Sequence, residues 1–280
     1  MKIEVASTVL KDPNLEYTTE LISILKDRGD TIWLDCDCDT PIDGVNKGVS
    51  SCPDMIIVLG GDGSIMRAAR RGALIGVPIL GIDLGRVGYL AELSPDDKDG
   101  LNAVLNGEYY IEKRALLEVS TVKNGLEFEE KMVAINDVVL SHGTVSRLLE
   151  TEVYCDGSSL GRYRSDGFIV ATPTGSTAYS LSAGGPVLSP KLKGICLTPI
   201  CPHSLTARPI IVPEDSHIEI KYLSPQPSPS HLTVDGNEAD MLYCGDSVMV
   251  RRSSVSADFI RLNKKRNVSF YDILREKMSD

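Results

Sequence analysis

Apolar and polar residues alternate in two different ways along the chain, and the pattern changes near residue 109. Before that point, short apolar runs alternate with segments whose apolar residues recur at helical spacing. The runs that predict strands lie at residues 2–8, 31–34, 54–59 and 78–82, and the segments that predict helices at 15–26 and 64–74. Strands alternating with helices predict a parallel sheet, whose ligands bind beyond the carboxyl ends of the strands. The segments after Leu59 and Ile82 are therefore the first places to search for a site.

After residue 109 the chain predicts β structure broken by tight turns. Asn124-Gly125 and Asp156-Gly157 favour the turns that join antiparallel strands. The predicted strands lie at residues 116–122, 132–140, 150–155, 168–171, 218–222, 247–251 and 257–262. Residues 223–230 predict an exposed loop or sheet edge, and residues 269–277 a helix. We therefore expect an α/β N-terminal domain with a parallel sheet, residues 1–108, and a β-rich, sandwich-like C-terminal domain, residues 109–263.

The composition excludes several classes of protein. Of 280 residues, 42% are hydrophobic and 24% charged, as in ordinary globular chains. A net charge of −10 repels polyanions, so we expect no nucleic-acid partner. No apolar run reaches the roughly 20 residues that span a bilayer, and the N-terminus shows no export signal. We therefore expect no membrane partner and a cytoplasmic location.

The seven cysteines and four histidines give no sign of a metal centre. Cys36 and Cys38 are close in sequence, but no second pair completes a zinc-binding set. The histidines stand singly, without the spacing that presents two imidazoles on one helix face. We assign no metal ligands and expect reduced thiols.

The most informative motif is Gly60-Gly61-Asp62-Gly63-Ser64, between an apolar strand and a predicted helix. Glycines let the backbone approach a ligand, and the following helix start offers free N–H groups to an anion. The motif predicts a phosphate-binding loop, although it is neither a Walker loop nor a dinucleotide fingerprint. Asp62 favours a catalytic or magnesium-related role over a turn that needs glycine for geometry alone. Residues 81–90, with three more glycines, predict a second close approach.

Two polar segments in the second half predict a binding site. Asn136-Asp137 interrupts an apolar strand, which indicates either a bulge at a strand end or a pair of groups that hold vicinal hydroxyls. Residues 163–190 are rich in hydroxyls and glycines after an apolar strand. Such a segment is typical of a loop packed around a polar ligand, on which Tyr179 could stack.

Three further motifs are more typical of ordinary structure than of a functional site. Residues 157–161 match the G-x-S-x-G nucleophile motif, but they lie in a predicted hairpin and not in a strand-to-helix turn, which disfavours a serine hydrolase. The helical arginines Arg67, Arg70 and Arg71 could steer phosphates, but a solvated helix face is the favoured interpretation. The basic run 264–266 is also typical of a solvated surface.

Together these residues resemble the NAD kinase family, whose members phosphorylate the adenosine ribose of NAD. The resemblance covers most of the chain and rests on motifs in the family's order. These are residues 60–64, 81–90, 136–137, 166–190, 199–205 with Arg208-Pro209, and 235–236. The resemblance implies a C-terminal helix, residues 264–280, that completes the first domain. It also implies ATP or polyphosphate as donor, Mg²⁺, and a homodimer or homotetramer.

The resemblance also assigns roles to single residues. Asp62 would be the catalytic residue that orients and deprotonates the ribose 2′-hydroxyl, and Gly60, Gly61, Gly63 and Ser64 would hold the donor's phosphates. The residues implied to bind NAD are Asp62, Gly63, Asn136, Asp137, Arg164, Asp166, Thr177, Ala178, Tyr179 and Ser182. Asp166 and Ala178 would contact the nicotinamide half across a subunit boundary.

Two positions differ from the commonest family pattern, and two alternative functions stay open. Ser64 replaces a threonine and keeps its hydroxyl, whereas Asp83 replaces an asparagine and brings a carboxylate near the expected phosphates. The glycine-aspartate-glycine motif is shared with lipid kinases and, more loosely, sugar-phosphate kinases. A related lipid or sugar kinase is therefore one alternative, and a non-catalytic NAD- or NADP-binding sensor is the other.

Overall fold

The computed structural model of the chain describes residues 1–36, 42–85, 88–143, 148–224, 229–262 and 269–279. The basic run 264–266, the centre of the proline-rich segment 223–230, Cys38 and the middle of segment 81–90 lie outside these residues. The chain divides into two compact units. The first consists of Met1–Lys113 and Ala257–Asp280, and the second of Arg114–Ser256.

The first unit is a parallel sheet with helices. Its strands are β1 (Lys2–Ser7), β2 (Thr31–Cys36), β3 (Asn46–Lys47), β4 (Met55–Leu59), β5 (Ile79–Ile82) and the last part of β17 (Ser247–Leu262). Their order is β17-β5-β4-β1-β2-β3, and the pairs are parallel. The helices are α1 (Glu16–Asp27), α2 (Asp62–Ile75), α3 (Lys98–Leu105) and α5 (Phe270–Met278). Every residue of β4 and β5 is buried, which is why these strands read as continuous apolar runs.

The second unit contains two antiparallel sheets. Its remaining elements are β6 (Tyr109–Lys123), β7 (Leu126–Ala134), β8 (Asp137–His142), β9 (Leu149–Cys155), β10 (Ser158–Ser165), β11 (Gly167–Ala171), β12 (Gly194–Ile200), β13 (Ile210–Pro213), β14 (Ile218–Tyr222), β15 (Ser230–Val234), β16 (Asn237–Leu242) and the short helix α4 (Tyr179–Ser182). One sheet runs β10-β9-β14-β17, with β6 pairing to β17 and β7, and the other runs β13-β12-β11-β8-β15-β16. One apolar cluster joins Val153 and Ile220 of the first sheet to Phe168 and Leu232 of the second. The two sheets therefore form a sandwich around a shared core.

The predicted hairpin turns are confirmed. Asn124-Gly125 joins β6 to β7 and Asp156-Gly157 joins β9 to β10, and all four residues have positive φ, as tight hairpin turns require. Residues 157–161 therefore lie in a hairpin, and the nucleophile-elbow interpretation does not fit.

Some predicted elements differ from the structure, and some observed elements were not predicted. Residues 132–140 are not one strand, because β7 ends at Ala134 and β8 begins at Asp137. Residues 247–251 and 257–262 belong to one strand, β17, whose middle is partly exposed and polar and so lacks a continuous apolar pattern. The helix α3 escaped prediction because it has only eight residues. Among the residues that the structure describes, no helix is both long and apolar enough to cross a bilayer.

Candidate active site

A cleft of about 450 Å³ lies at the carboxyl ends of β1 and β4 in the first unit. Ser7 and Thr8 line it from the end of β1, and Leu59 from the end of β4. From β1 the chain extends the sheet through β2 and β3 on one side, then through β4 and β5 on the other. The cleft therefore lies at the point where the strand order reverses, which is the usual ligand site of an open parallel sheet.

The glycine motif connects β4 to α2 at this cleft. Gly61 precedes the first residue of α2, which is Asp62, and the carbonyl of Gly61 accepts N–H bonds from Ser64 at 3.0 Å and Ile65 at 3.1 Å. Ser64 also lines the cleft. A helix start built on glycine presents backbone N–H groups and a positive dipole end without a side chain in the way. This is the arrangement that phosphate groups bind.

Three arginines of α2 line the same cleft, and all three are at least partly exposed to solvent. Arg67, Arg70 and Arg71 all contribute to its wall. The Arg71 guanidinium forms an ion pair with Glu4, whose side chain is completely buried in β1, and burial lowers the pKa of Arg71. The arginines supply positive charge to the cleft.

Backbone N–H groups from the loop after β5 hold the Asp62 carboxylate. Tyr89 N–H donates to Oδ2 and Leu90 N–H to Oδ1, each at 3.0 Å. The approach depends on Gly88, because a Cβ built there would lie 2.1 Å from Asp62 Oδ1 and 2.6 Å from Cγ. The glycine is thus needed for a close approach, as the pattern of segment 81–90 predicts. The two hydrogen bonds restrict the orientation of the carboxylate.

A second carboxylate, Asp83, lies at the same loop. Its side chain is buried, and its Oδ2 accepts the N–H of Gly88 at 2.8 Å. Burial raises the pKa of Asp83, and the negative charge of Asp62 adds to this effect, while hydrogen bonds from Gly88 and Gly85 and the charge of Lys11 oppose it. Asp62 and Asp83 are therefore close enough to repel each other.

Sequence reasoning missed a contact between Asp62 and the C-terminal helix. Lys277 Nζ lies 3.9 Å from Asp62 Oδ2 and 4.9 Å from the centre of the Tyr89 ring. The Tyr89 ring also lies 5.7 Å from that of Phe270, at the start of α5. Burial, together with the charge of Asp62, raises the pKa of Tyr89. No local sequence pattern connects these residues, since the contacts are made by tertiary folding.

In the second unit, Asn136 and Asp137 lie at a break between two strands, where the sequence allowed a bulge. The Asp235 carboxylate accepts the backbone N–H groups of Ile135, Asn136 and Asp137 at 2.9, 2.7 and 3.2 Å. Asp235 and Gly236 both have positive φ and form the turn between β15 and β16. The Asp-Gly turn therefore places a carboxylate that holds the broken strand in position.

The side chain of Asp137 is buried beside that anchor. Burial, with a further contribution from the negative charge of Asp235, raises the pKa of Asp137 to about 7. Asp137 is therefore partly protonated at neutral pH, and its carboxyl group can donate as well as accept a hydrogen bond.

The hydroxyl-rich segment after β11 packs against Asn136. The Thr172 hydroxyl donates to the Ile135 carbonyl at 2.5 Å, and the Thr172 N–H donates to the Asn136 carbonyl at 2.8 Å. A Cβ at Gly175 would lie 2.0 Å from the Asn136 carbonyl oxygen, so only glycine fits there. These contacts bring the two polar segments of the second unit together.

The hydroxyls of this segment divide into two groups. Thr172, Ser176 and Ser180 are buried, and their hydroxyls bond within the unit. The residues that the resemblance assigns to NAD are the more exposed ones, namely Thr177, Ala178, Tyr179 and Ser182. The Tyr179 side chain, 46% exposed, is free to stack on a ring. The buried hydroxyls thus shape a loop that presents the exposed ones.

Arg164 and Asp166 lie elsewhere in the second unit. Arg164 and Arg208 line a cleft of about 330 Å³ between β10 and the segment after β12. Asp166 follows β10, and its Oδ1 lies 4.0 Å from His142 Nε2. The paired arginines give this cleft a positive charge that suits an anionic ligand.

A helix that begins at glycine lies beside a fixed carboxylate at the switch point of a parallel sheet, which is typical of a phosphoryl-transfer protein. Comparison with known proteins identifies the family. Models of the ATP-NAD kinase N-terminal and C-terminal domains match residues 8–109 and 135–262. The chain belongs to the ATP-NAD kinase family.

Individual relatives agree with this assignment. The NAD kinase of Heliobacterium modesticaldum is 44% identical over 228 residues, covering 80% of this chain and 78% of that protein. The NAD kinase of Caldanaerobacter subterraneus subsp. tengcongensis is 36% identical over 285 residues, covering 100% of this chain and 99% of that protein. The predicted family is therefore confirmed.

Two solved structures share the fold. Yeast NADH kinase in complex with NADH superposes with a TM-score of 0.86 at 27% identity, covering 100% of this chain and 88% of that one. The NAD kinase of Archaeoglobus fulgidus in complex with ATP gives a TM-score of 0.73 at 25% identity, covering 97% and 98%. The predicted fold class, a parallel α/β domain followed by a β sandwich, is confirmed.

Proposed function

We propose that this protein is an NAD kinase that transfers the terminal phosphoryl group of ATP to the 2′-hydroxyl of the adenosine ribose of NAD. The observation that carries the proposal is the Asp62 carboxylate, held by two backbone N–H groups at the first turn of α2. Family relatives named NAD kinase support the same reaction. A lipid or sugar kinase would have no use for the NAD kinase C-terminal domain, and a sensor would not need a fixed carboxylate beside the glycine loop.

In the proposed reaction, the ribose 2′-oxygen attacks the γ-phosphorus of ATP. The new O–P bond forms as the bond between the γ-phosphorus and the bridging oxygen breaks, and ADP leaves. Asp62 orients the 2′-hydroxyl and takes its proton. Because the transition state of phosphoryl transfer is loose, the proton leaves late and a weak base suffices. Most of the rate enhancement then comes from positioning and charge neutralisation.

We assign the donor to the cleft of the first unit. Gly60, Gly61, Gly63 and Ser64 hold its phosphates, and Arg67 and Arg70 add positive charge. Lys11 is a further cation at this loop, since its side chain lies 4.0 Å from the position of a Cβ built on Gly61. Backbone N–H groups bind the phosphates of a donor and do not contact a base. Polyphosphate is therefore tested as a donor beside ATP.

Mg²⁺ fits this donor set. Asp62 and Asp83 repel each other across the loop, and a divalent cation offsets such a cost. Within the described residues, no group of three or more His, Cys, Asp or Glu side chains forms a metal cage. This suits Mg²⁺ carried mainly by donor phosphates and water, with one or two carboxylates nearby. When bound, Mg²⁺ neutralises phosphate charge.

We assign NAD to the second unit, which lies within the predicted β-rich domain 109–263. Residues 1–108 with the C-terminal helix remain the predicted catalytic-loop domain. Asn136 and Asp137 hold ribose hydroxyls, and the exposed group after β11 lines the adenine pocket. The residues in that group are Thr177, Ala178, Tyr179 and Ser182. Arg164 and Asp166 bind the remaining half of NAD.

We further propose a cytoplasmic homodimer or homotetramer. Leu205 is 92% exposed, and Ile210 and Ile211 are exposed on β13, which is an edge strand. An exposed apolar edge of this kind favours self-association.

The test compares wild type with Asp62→Asn in an assay that couples NADP formation to an NADP-specific dehydrogenase, with Mg²⁺ and either ATP or polyphosphate. Asp99→Asn is the matched control, because Asp99 lies exposed in the first turn of α3. We expect Asp62→Asn to lower kcat about 10²- to 10⁴-fold, with NAD binding by calorimetry retained. Near wild-type turnover would refute the role of Asp62. NAD binding without turnover by the wild type, with either donor, would identify a sensor instead.

A further inference from the structure

The C-terminal helix α5 presents one continuous face to the candidate catalytic loop. Phe270, Ile273 and Lys277 follow the i, i+3, i+7 spacing that places side chains along one side of a helix. Ile273 is buried, Phe270 contacts the Tyr89 ring, and Lys277 contacts both Tyr89 and Asp62. The helix is therefore attached to the catalytic loop at both of its ends.

The start of α5 is itself fixed in place. The Ser269 hydroxyl accepts the Asp272 N–H, and the Asp272 carboxylate accepts the Ser269 N–H, which completes a capping box. The capping box and the buried Ile273 fix the first half of α5. Lys277 lies one turn beyond Ile273 on the same helix.

Two backbone N–H groups and one ammonium lie at the Asp62 carboxylate. Each of its oxygens already accepts a backbone N–H. The Lys277 ammonium lies 3.9 Å from Oδ2, and the two side chains are 41% and 32% exposed. This separation exceeds a hydrogen bond, so the ammonium acts on the carboxylate through its charge.

We propose that Lys277 is a positioning residue of the phosphoryl transfer, which holds the Asp62 carboxylate in the orientation that receives the ribose hydroxyl. This inference rests on the proposed function. The glycine loop has no lysine of its own, unlike the Walker loop, and phosphoryl transfer requires fixed positive charge near the reacting groups. The C-terminal helix supplies such a charge next to the proton acceptor.

The experiment compares Lys277→Met with Lys277→Arg and with Arg275→Met. Arg275 belongs to the same helix turn, but its side chain is 77% exposed and pairs with Asp272. We expect Lys277→Met to lower kcat about fivefold, because one partly exposed charge contact is worth about a factor of this size. The KM values for NAD and ATP should stay within about twofold, since Lys277 acts on the orientation of Asp62. Lys277→Arg should restore most of kcat, and Arg275→Met should match wild type.

A second measurement separates positioning from a loss of structure. If Lys277 acts through Asp62, adding Lys277→Met to Asp62→Asn should lower the residual rate no further. Thermal unfolding checks that each variant is folded. An unchanged kcat in Lys277→Met, or an equal loss in Arg275→Met, would overturn the inference while the wild type still forms NADP. Failure of the wild type to form NADP would instead overturn the proposed function.

Discussion

Replacing Asp137 with asparagine tests the electrostatics of the broken strand directly. The side chain is buried, and its pKa is raised to about 7 by burial and by the charge of Asp235. Asparagine has nearly the same shape but cannot ionise. The substitution therefore removes the titration and leaves the packing in place.

The size of the effect follows from the two pKa values. In the unfolded chain the group titrates near 3.8 and in the folded chain near 7, so the folded state binds the proton more tightly. The stabilising contribution of the proton is complete below about pH 3.8 and is lost as pH rises towards 7. A difference of about three units corresponds to about 4 kcal/mol. About 2.5 kcal/mol of this is lost between pH 5 and pH 8.

Urea unfolding followed by circular dichroism, at pH values from 5 to 8, measures this difference. We expect the stability of Asp137→Asn relative to wild type to increase by about 2.5 kcal/mol over that range, because only the wild type buries a new charge. Comparing the two proteins at each pH cancels the titration of the other groups. A stability difference that stays constant with pH, or one that decreases, would show that the pKa of Asp137 is not raised by folding.

Two other substitutions test the geometry of the two units. Gly88→Ala should displace the Asp62 carboxylate, since the new Cβ would lie 2.1 Å from Oδ1. In the coupled assay we expect kcat to fall about 10²-fold, with NAD binding retained. Activity within twofold of wild type would contradict the close approach of Gly88 to Asp62. Asp235→Ala should lower the free energy of unfolding, measured in urea, by about 2 kcal/mol, because three backbone N–H groups lose their acceptor. A loss below about 0.5 kcal/mol would show that the fold does not depend on the Asp235 carboxylate.

The sequence predicted the elements whose pattern is strong and local. The strands β4 and β5 are buried throughout, so continuous apolar runs reveal them. The Asp156-Gly157 turn follows from its dipeptide. By contrast, β10 is an edge strand with a mostly polar, exposed surface, so only the preceding turn indicates it and its length cannot be predicted.

Only those residues of the candidate site that belong to a local sequence motif could be predicted. The glycine loop and Asn136-Asp137 stand out as polar residues after apolar runs, whereas the groups that hold them are distant in sequence. Lys277 reaches Asp62, and Asp235 reaches residues 135–137, through tertiary folding. A single sequence contains no local signal for such pairs, because neither periodicity nor turn chemistry connects them.

The reaction proposed for this chain transfers the γ-phosphoryl group of ATP to the 2′-hydroxyl of NAD. To test it, the purified protein is incubated with NAD, Mg²⁺ and γ-labelled ATP, the labelled dinucleotide is isolated, and its phosphate is located by NMR. We expect one labelled phosphate on the 2′-oxygen of the adenosine ribose, formed in equal amount to ADP. Label on any other position, or ADP formed without a labelled dinucleotide, would show that the chain does not catalyse this reaction.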